Sequence, residues 1–223
     1  TNKFMTDPIT IKIESNEVPT KIKQLLYYVD KENKINLLFD ILNAKDKKST
    51  LIFTKTKHGA DKLEKEFNNY NIKVSVIHGD KRQSNRIRAL SDFKTGKTQV
   101  LIATDIAARG IDISGLGQVI NFDIPEYAEV YIHRIGRTGR AGLEGTSITF
   151  CSSDEIGKLR DIQKLTKIDL EEVEHNYPMK KKLESISRKK NNYKKSYAKK
   201  TNYMDSKNKN FSDKKNTYFK DHK

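Results

Sequence analysis

Short runs of β-branched and other apolar residues alternate with longer amphipathic runs along most of the chain. The short runs predict β-strands at 9–14, 24–29, 49–54, 74–77, 99–104, 118–123 and 145–151. The longer runs predict helices at 34–44, 58–70, 82–94, 128–135 and 154–166. This alternation is typical of parallel strands that are joined by helical crossovers. We therefore predict an α/β fold, a doubly wound and mostly parallel sheet with helices on both faces.

The amphipathic pattern stops after Pro178, where Lys, Asn, Ser and Tyr take over. Residues 179–223 contain 16 Lys and Arg against 4 Asp and Glu, so this tail carries +12 of the chain's net charge of +15. We expect the tail to be disordered and to attract a polyanion. The residues before it are nearly balanced in charge and are numerous enough for one ordinary domain.

Composition limits the classes of protein to which the chain can belong. The one cysteine, Cys151, excludes an intramolecular disulfide and a cysteine-built zinc site. Since no apolar run reaches the ~18–20 residues of a membrane span, we expect a cytoplasmic protein with no membrane partner. The chain opens with Thr1 rather than Met, and we expect it to be part of a longer protein.

The run Gly96-Lys97-Thr98 is similar to the end of a phosphate-binding loop but fails two requirements. That pattern needs a glycine where Ser91 stands, and it needs a strand before the loop and a helix after it. Here a predicted helix precedes the run and a predicted strand follows it, so we interpret Gly96 as the glycine that ends a helix. We also predict no metal site, because no strand ends in paired carboxylates and the histidines show no metal-ligand grouping.

The segment 133–140, His-Arg-Ile-Gly-Arg-Thr-Gly-Arg, carries the strongest chemical signal in the chain. Its arginines, Arg134, Arg137 and Arg140, recur at every third position with glycines between them. Small residues let the backbone approach a ligand, and a guanidinium group matches two phosphate oxygens at once. We predict an exposed phosphate clamp; a solvated helix end with incidental arginines is the alternative.

A second polar segment, residues 103–112, directly follows a predicted strand. Ligands of open α/β sheets bind at the carboxyl ends of strands, which is where these residues would lie. Asp105 is a candidate for orienting arginines and Asp112 for bonding a ribose hydroxyl. A structural turn with a helix-capping aspartate is the alternative.

These two segments, with Leu-Ile-Phe-Thr-Lys-Thr at 51–56 and His-Gly-Asp-Lys-Arg-Gln-Ser-Asn-Arg at 78–86, resemble the second RecA-like domain of the DEAD-box RNA helicases. The resemblance covers roughly residues 8–178. It implies an interdomain linker with the first strand at 1–20, a RecA-like domain at 21–178 and the basic tail at 179–223. The run Glu-His-Asn-Tyr-Pro-Met at 174–179 is similar to the end of the core domain in the bacterial RhlE-type branch. The family's first RecA-like domain, with its phosphate loop and Asp-Glu-Ala-Asp box, is absent from this sequence.

The resemblance implies a role for the chain at an ATP site. In the family, ATP lies between two RecA-like domains, so ATP and Mg²⁺ would be bound chiefly by the N-terminal domain. Arg137 and Arg140 match arginine fingers that are directed at the γ-phosphate. Gly110 and Asp112 match positions beside the nucleotide, with Asp112 at the ribose.

Three further positions match residues at the junction of the two domains. His133 and Arg134 match residues that tie the domains together when they close, and Asp105 is expected to position the arginines. The resemblance therefore implies that the N-terminal RecA-like domain is a partner of this chain and that the ATP site is shared.

Five positions match family residues that contact RNA: Thr56, Gly79, Gln83, Arg86 and Thr104, with Gln83 supporting Arg86. A hydroxyl, a glycine amide and a guanidinium suit phosphates and sugars and do not recognise base edges, so the resemblance implies sequence-nonspecific binding to the RNA backbone. Each position has an alternative role, since the threonines could cap strand ends and Arg86 could be a solvated helix residue.

The basic tail is a candidate RNA site of its own. Lysine pairs alternate in it with Tyr193, Tyr197 and Tyr203. Lysines attract phosphates, and aromatic rings stack on unpaired bases. A plain solvated tail is the alternative.

Two functional hypotheses follow. The first is the C-terminal half of an ATP-dependent RNA helicase, which separates RNA strands locally or remodels RNA–protein complexes and is inactive without its other half. The second is a stand-alone, non-catalytic RNA-binding module with the same fold. Arg137 and Arg140 favour the first hypothesis, because RNA binding alone has no use for fingers that are directed at a γ-phosphate. The amino-acid residues of segments 103–112 and 133–140 disfavour a DNA helicase of the same superfamily.

Overall fold

A computed structural model describes residues 22–43, 48–109, 111, 113, 115–139, 144–168 and 170–179. The chain divides into two units, residues 1–179 and 180–223, and every described residue belongs to the first. The predicted strand at 9–14 and the predicted disorder of the tail lie outside the described residues. The predicted domain boundaries therefore remain predictions.

The described residues form one sheet with helices on both of its faces. The strands are β1 (Ile22–Tyr28), β2 (Thr50–Thr54), β3 (Ser75–Ile77), β4 (Val100–Thr104), β5 (Gln118–Asn121), β6 (Gly145–Cys151) and β7 (Glu171–Glu172). The helices are α1 (Lys34–Leu42), α2 (Lys57–Asn69), α3 (Gln83–Lys94), α4 (Asp105–Ala108), α5 (Ala128–Ile135) and α6 (Ile156–Thr166), with a 3-10 helix at Lys31–Asn33. The strand order is β3-β4-β2-β5-β6-β1-β7, and neighbouring strands pair in parallel. The predicted α/β fold is confirmed.

The two faces of the sheet are covered by different helices because successive strand residues point to opposite sides. In β2, Ile52 belongs to the core beneath α1 and α2, whereas Leu51 and Phe53 belong to the core beneath α3. A third core lies under α5 and α6, around Leu26. All residues of β2 and β4 are buried, as is typical of central strands in a parallel sheet.

Gly96 ends α3 and leads into β4. It has a φ of +75°, in the left-handed region, and its N–H donates to Phe93 O at 3.1 Å. A helix precedes it and a strand follows it. The interpretation of Gly96 as a helix-ending glycine is confirmed, and the run at 96–98 lies at the amino edge of the sheet.

The carboxyl edge of the sheet assembles most of the predicted site residues. The order β3-β4-β2-β5 makes the ends of these four strands neighbours. Gly79 follows β3, Thr104 ends β4, Asp105 begins α4, and Thr56 follows β2. Residues that are 20 to 50 positions apart in the sequence therefore lie along one edge.

Candidate functional site

Arg134, the first arginine of segment 133–140, lies inside the domain. Helix α5 packs Tyr131 and Ile135 onto the sheet, and Arg134 lies on this same buried face, because positions three and four apart share a side of a helix. The side chain is only 2% exposed, and its guanidinium carbon lies 4.8 Å from the centre of the Phe53 ring.

All three guanidinium nitrogens of Arg134 donate to acceptors of the same domain. Its Nε and Nη2 donate to the two carboxylate oxygens of Asp105 at 2.6 and 2.8 Å. Its Nη1 donates to Asn121 Oδ1 at 3.1 Å and to Asp123 O at 2.7 Å. This corrects the prediction for Arg134, since a buried and internally bonded guanidinium does not fit a direct contact with another domain. Asp105 is the residue that holds it.

Arg137 lies beyond the end of α5 and lines a cleft. It is half-buried, and its Nη1 donates to Ile111 O at 3.2 Å. The cleft has a volume of about 290 Å³ and lies at the carboxyl edge of the sheet. Its lining residues are Phe53, Asp105, Ala108, Arg109, Val130, His133, Arg134 and Arg137. The structure thus brings His133, Arg137 and the Asp105–Arg134 pair around one cleft.

The turn after α5 is fixed to the body of the domain. Leu116 N donates to Arg137 O at 3.2 Å, and Thr138 Oγ1 donates to Leu116 O. Gly139 has a φ of +66°, and a Cβ on Gly145 would come within 2.5 Å of Gly139 N. The turn can therefore lie directly on the start of β6, which determines where the Arg137 side chain begins.

The cleft has a positive electrostatic character. The Asp105 carboxylate is neutralised by its bidentate pair with Arg134, whereas Arg109 and Arg137 line the cleft as additional cations. Guanidinium groups in such a setting suit phosphate oxygens. Three predicted site residues, Gly110, Asp112 and Arg140, lie outside the described residues.

On the neighbouring part of the edge, Thr56 is exposed and begins α2. Its Oγ1 accepts a hydrogen bond from Gly59 N at 3.0 Å, which is an N-terminal helix cap. Thr104 occupies the corresponding position before α4, but its side chain forms no capping bond and it is only 9% exposed. Thr56 therefore caps the start of a helix rather than the end of a strand.

The loop that contains Gly79 is attached to α2 by a buried histidine. His78 Nδ1 accepts from Asp80 N at 3.3 Å, so its Nε2 donates to Asp61 Oδ1 at 2.8 Å. Burial opposes ionisation of Asp61, but the bonds from His78 and Lys81 outweigh it and hold the pKa of Asp61 below its usual value. A Cβ added to Gly79 would meet nothing within 4 Å, so this backbone is open to a ligand.

Arg86 on α3 is half-buried and incompletely bonded. Its Nη1 donates to Gln83 Oε1 at 3.2 Å, and its Nη2 lies 3.5 Å from Ala107 O. Its Nε is buried without a hydrogen-bond partner. The predicted contact between Gln83 and Arg86 exists, and Arg86 is not a fully solvated helix residue. Its remaining donors can bind an anion.

A buried ionic cluster, which the sequence does not predict, joins the two parts of the edge. Lys34, which is 3% exposed, donates to Glu155 Oε2 at 2.8 Å and to Phe122 O at 2.7 Å, and lies 3.4 Å from Asp123 Oδ1. Asp123 Oδ2 also accepts from Lys55 N at 2.9 Å. Asp123 therefore connects the loop before α2 with Arg134. The lysine gives no local signal, because its partners are distant in sequence.

Arg109, for which the sequence predicts no role, lies in segment 103–112 and lines the cleft. Cys151, in contrast, is buried in β6, and burial raises its pKa to about 12. Among the described residues, no helix is long and apolar enough to cross a membrane, and no three His, Cys, Asp or Glu side chains group as a metal site.

Comparisons with known proteins place this geometry in a family. A model described as "Helicase conserved C-terminal domain" matches residues 33–142. The crystallised C-terminal domain of the DEAD-box protein Dbp5 is 35% identical, with a TM-score of 0.64, and the match covers 69% of this chain and 90% of that domain.

The chain belongs to the DEAD-box family. It corresponds to the C-terminal helicase domain of that family, with the RecA-like fold. A further relative, the ATP-dependent RNA helicase FAL1 of Saccharomyces cerevisiae, is 41% identical over 179 residues, which are 79% of this chain and 45% of FAL1. The chain thus spans less than half the length of this relative.

A further DEAD-box structure, S. cerevisiae Dbp5 bound to RNA and ADP BeF3, is 34% identical with a TM-score of 0.69, and the match covers 84% of this chain and 50% of Dbp5. These DEAD-box matches support the family and the domain. They do not decide the branch within the family, so the predicted RhlE-like branch remains a prediction.

Proposed function

We propose that this chain is the C-terminal half of an ATP-dependent RNA helicase and that it completes an ATP site built chiefly by an N-terminal RecA-like domain. The observation that carries the proposal is the position of Arg137, which is anchored at Ile111 O in a cationic cleft at the carboxyl edge of the sheet. In this proposal Arg137 and Arg140 stabilise the charge that develops on the γ-phosphate during hydrolysis.

The cleft fits one part of a nucleotide site rather than a whole one. Its volume of about 290 Å³ is at the lower end of the range for small-molecule sites. The one run that is similar to a phosphate loop, at 96–98, lies at the opposite edge of the sheet. We therefore assign the binding of the phosphates and of Mg²⁺ to the N-terminal domain, with Gly110 beside the nucleotide and Asp112 at the ribose.

His133 is the residue that we assign to contact between the two domains. It is exposed in the last turn of α5 and lines the cleft beside Arg137. The Asp105–Arg134 pair lies behind it and fixes the helix from inside. Closure of the domains would then press a rigid surface, rather than a mobile loop, against the nucleotide.

We assign RNA backbone binding to the edge formed by Thr56, Gly79, Gln83, Arg86 and Thr104. An open glycine backbone, an exposed hydroxyl and a guanidinium with unused donors are groups that bind phosphates and sugars without recognising a base. The two DEAD-box relatives support this assignment, since one is named as an RNA helicase and the other is bound to RNA. The outcome of the activity would be local strand separation or remodelling of RNA–protein complexes.

We also propose that the chain belongs to the RhlE-like branch. The run at 174–179 that suggests this is attached to the domain, because His175 Nε2 lies 3.0 Å from Tyr28 O and Pro178 pairs with Val29. Met179 is buried in the core under α5 and α6. A comparison of affinities for ribosomal and other RNA fragments by the full-length protein would test for a branch-specific target.

The proposal is tested by comparing the 223-residue chain with the full-length protein that contains it. We expect the chain alone to bind RNA weakly and to show no RNA-stimulated ATPase activity, whereas the full-length protein hydrolyses ATP. Turnover by the chain alone that is abolished by Arg137→Ala would contradict a shared site. Absence of ATPase activity from both proteins, with RNA binding retained, would indicate the non-catalytic module instead.

The tail is tested separately by removing residues 180–223. Because the tail carries most of the net charge, we expect the shortened chain to bind RNA less tightly and with a weaker dependence on salt concentration. An unchanged salt dependence would show that the tail is only solvated.

A further inference from the structure

A groove of about 540 Å³ runs along α3 and begins at the Gln83–Arg86 pair. Three cations, Arg86, Lys94 and Arg109, line it, together with an apolar wall formed by Ile87, Leu90 and Ile111. Two of its lining residues, Gln83 and Arg86, are among the backbone contacts that the DEAD-box resemblance implies, whereas its apolar wall has no part in the proposed roles.

The apolar wall is accessible to a ligand. Ile87 is 60% exposed, and Leu90 and Ile111 beside it are partly buried. All three side chains line the groove. This apolar surface is small, but it lies inside a groove, where a ligand can contact it together with the cations.

The cationic end of the groove has unused capacity for an anion. The Arg86 side chain is half-buried and lines the groove, and its Nη2 has only a long contact, 3.5 Å, to Ala107 O. No carboxylate occurs among the described residues that line the groove. A ligand that suits it combines a negative charge with an apolar, flat body.

We propose that this groove binds one unpaired RNA nucleotide, with the base on the apolar wall and a phosphate at the arginines. The proposal rests on the proposed RNA function and extends it from the backbone to a base. Two observations favour RNA as the occupant. The groove is continuous with Gln83 and Arg86, which we assign to the RNA backbone, and its positive charge disfavours the basic tail of the chain itself.

The test uses the 223-residue chain and a labelled ten-nucleotide oligoadenylate, in which single positions are replaced in turn by abasic nucleotides. We expect an abasic nucleotide at one or two adjacent positions to weaken binding by about three- to tenfold. Ile87→Ala should bind the intact oligonucleotide as weakly as the abasic one, whereas Ile87→Leu should retain the difference. Leu165→Ala, which removes a partly exposed side chain on α6, is the matched control.

Equal binding of the intact and all abasic oligonucleotides by the unmodified chain would overturn the proposal and leave the groove to an acidic peptide. A loss in Ile87→Ala that is the same for intact and abasic RNA would also overturn it, because the contact would not involve a base. If the unmodified chain binds none of the oligonucleotides, the proposed RNA function itself fails, which is a distinguishable result.

Discussion

Two arginines of segment 133–140, Arg134 and Arg137, have the same chemistry but different surroundings. Arg134 is 2% exposed, and each of its three guanidinium nitrogens donates to the protein. Arg137, three positions later, is half-buried and lines a cleft. The difference arises because α5 ends between them, so one side chain follows the buried helix face while the other begins in a turn. One arginine stabilises the platform on which the other is presented.

Removing each arginine in turn tests this division of roles most strongly. Arg134→Ala leaves the Asp105 carboxylate, which is 28% exposed, without its partner, and we expect the free energy of unfolding to fall by about 3 kcal/mol. We expect Arg137→Ala to lower it by less than about 1 kcal/mol. Urea denaturation of the two variants measures this difference, and similar losses in both would contradict a division of roles.

A second buried ion pair at the same edge shows whether other charges stabilise the platform. Glu155→Gln leaves Lys34 with weaker partners, and we expect a loss of about 2 kcal/mol at neutral pH. Burial opposes ionisation of Glu155, but Lys34 and Ser152 outweigh it and keep its pKa below the usual value. This stability contribution is therefore complete above the ordinary carboxylate pKa and disappears as the pH falls through the lowered one.

Thermal unfolding from neutral pH into the acid range measures this pH dependence. The difference in melting temperature between the unmodified chain and Glu155→Gln should be constant near neutral pH and should disappear below pH 4.5. Glu126→Gln, at an exposed carboxylate that also pairs with lysines, is the control and should change little. A gap that widens on acidification would contradict the direction of the pKa shift.

Arg86 combines features of the two arginines, because it is half-buried like Arg137 and is held by protein acceptors like Arg134. We expect Arg86→Ala to weaken oligouridylate binding by roughly fivefold and to lower the slope of log affinity against log salt by about 1. Arg88→Ala, at a side chain that is 78% exposed on the same helix, is the control. If Arg86→Ala and Arg88→Ala change RNA affinity equally, Arg86 contributes only nonspecific electrostatic attraction to RNA.

Gly79 gives the smallest expected effect and tests whether the open backbone serves a ligand. A methyl group at this position meets nothing in the protein, so Gly79→Ala should raise the free energy of unfolding by about 0.5 kcal/mol. RNA affinity should nevertheless fall, since the methyl group occupies the space of the backbone ligand. Fluorescence anisotropy and urea denaturation, measured on the same variant, would refute the assignment if both stability and affinity rise.

Most of the sheet and its helices could be predicted from the sequence because their signals are local. Apolar periodicity gives α5 and β6 with their observed bounds, and the remaining predicted elements in the described part of the chain lie within a few residues of the observed ones. Three short elements, α4, β7 and the 3-10 helix at Lys31–Asn33, were not predicted. Each contains at most four residues, which is too few to show a period.

The candidate site was only partly predictable because its key contacts join distant residues. The position of Arg134 was in principle readable, since Tyr131 and Ile135 define the buried face of α5. Its partners were not, because Asp105 lies 29 positions away and reaches Arg134 only through the strand order. The same applies to Lys34 and Glu155, which are 121 positions apart.

The most direct test of the central claim is the ATPase activity of the full-length protein with Arg137→Lys. Lysine keeps the charge but loses the planar fork, so we expect RNA-stimulated kcat to fall by about 10³ or more with little change in RNA affinity or in stability. Arg88→Lys serves as the control and should retain full activity. An Arg137→Lys variant with unchanged kcat would show that Arg137 does not act on the nucleotide and would contradict the proposed site.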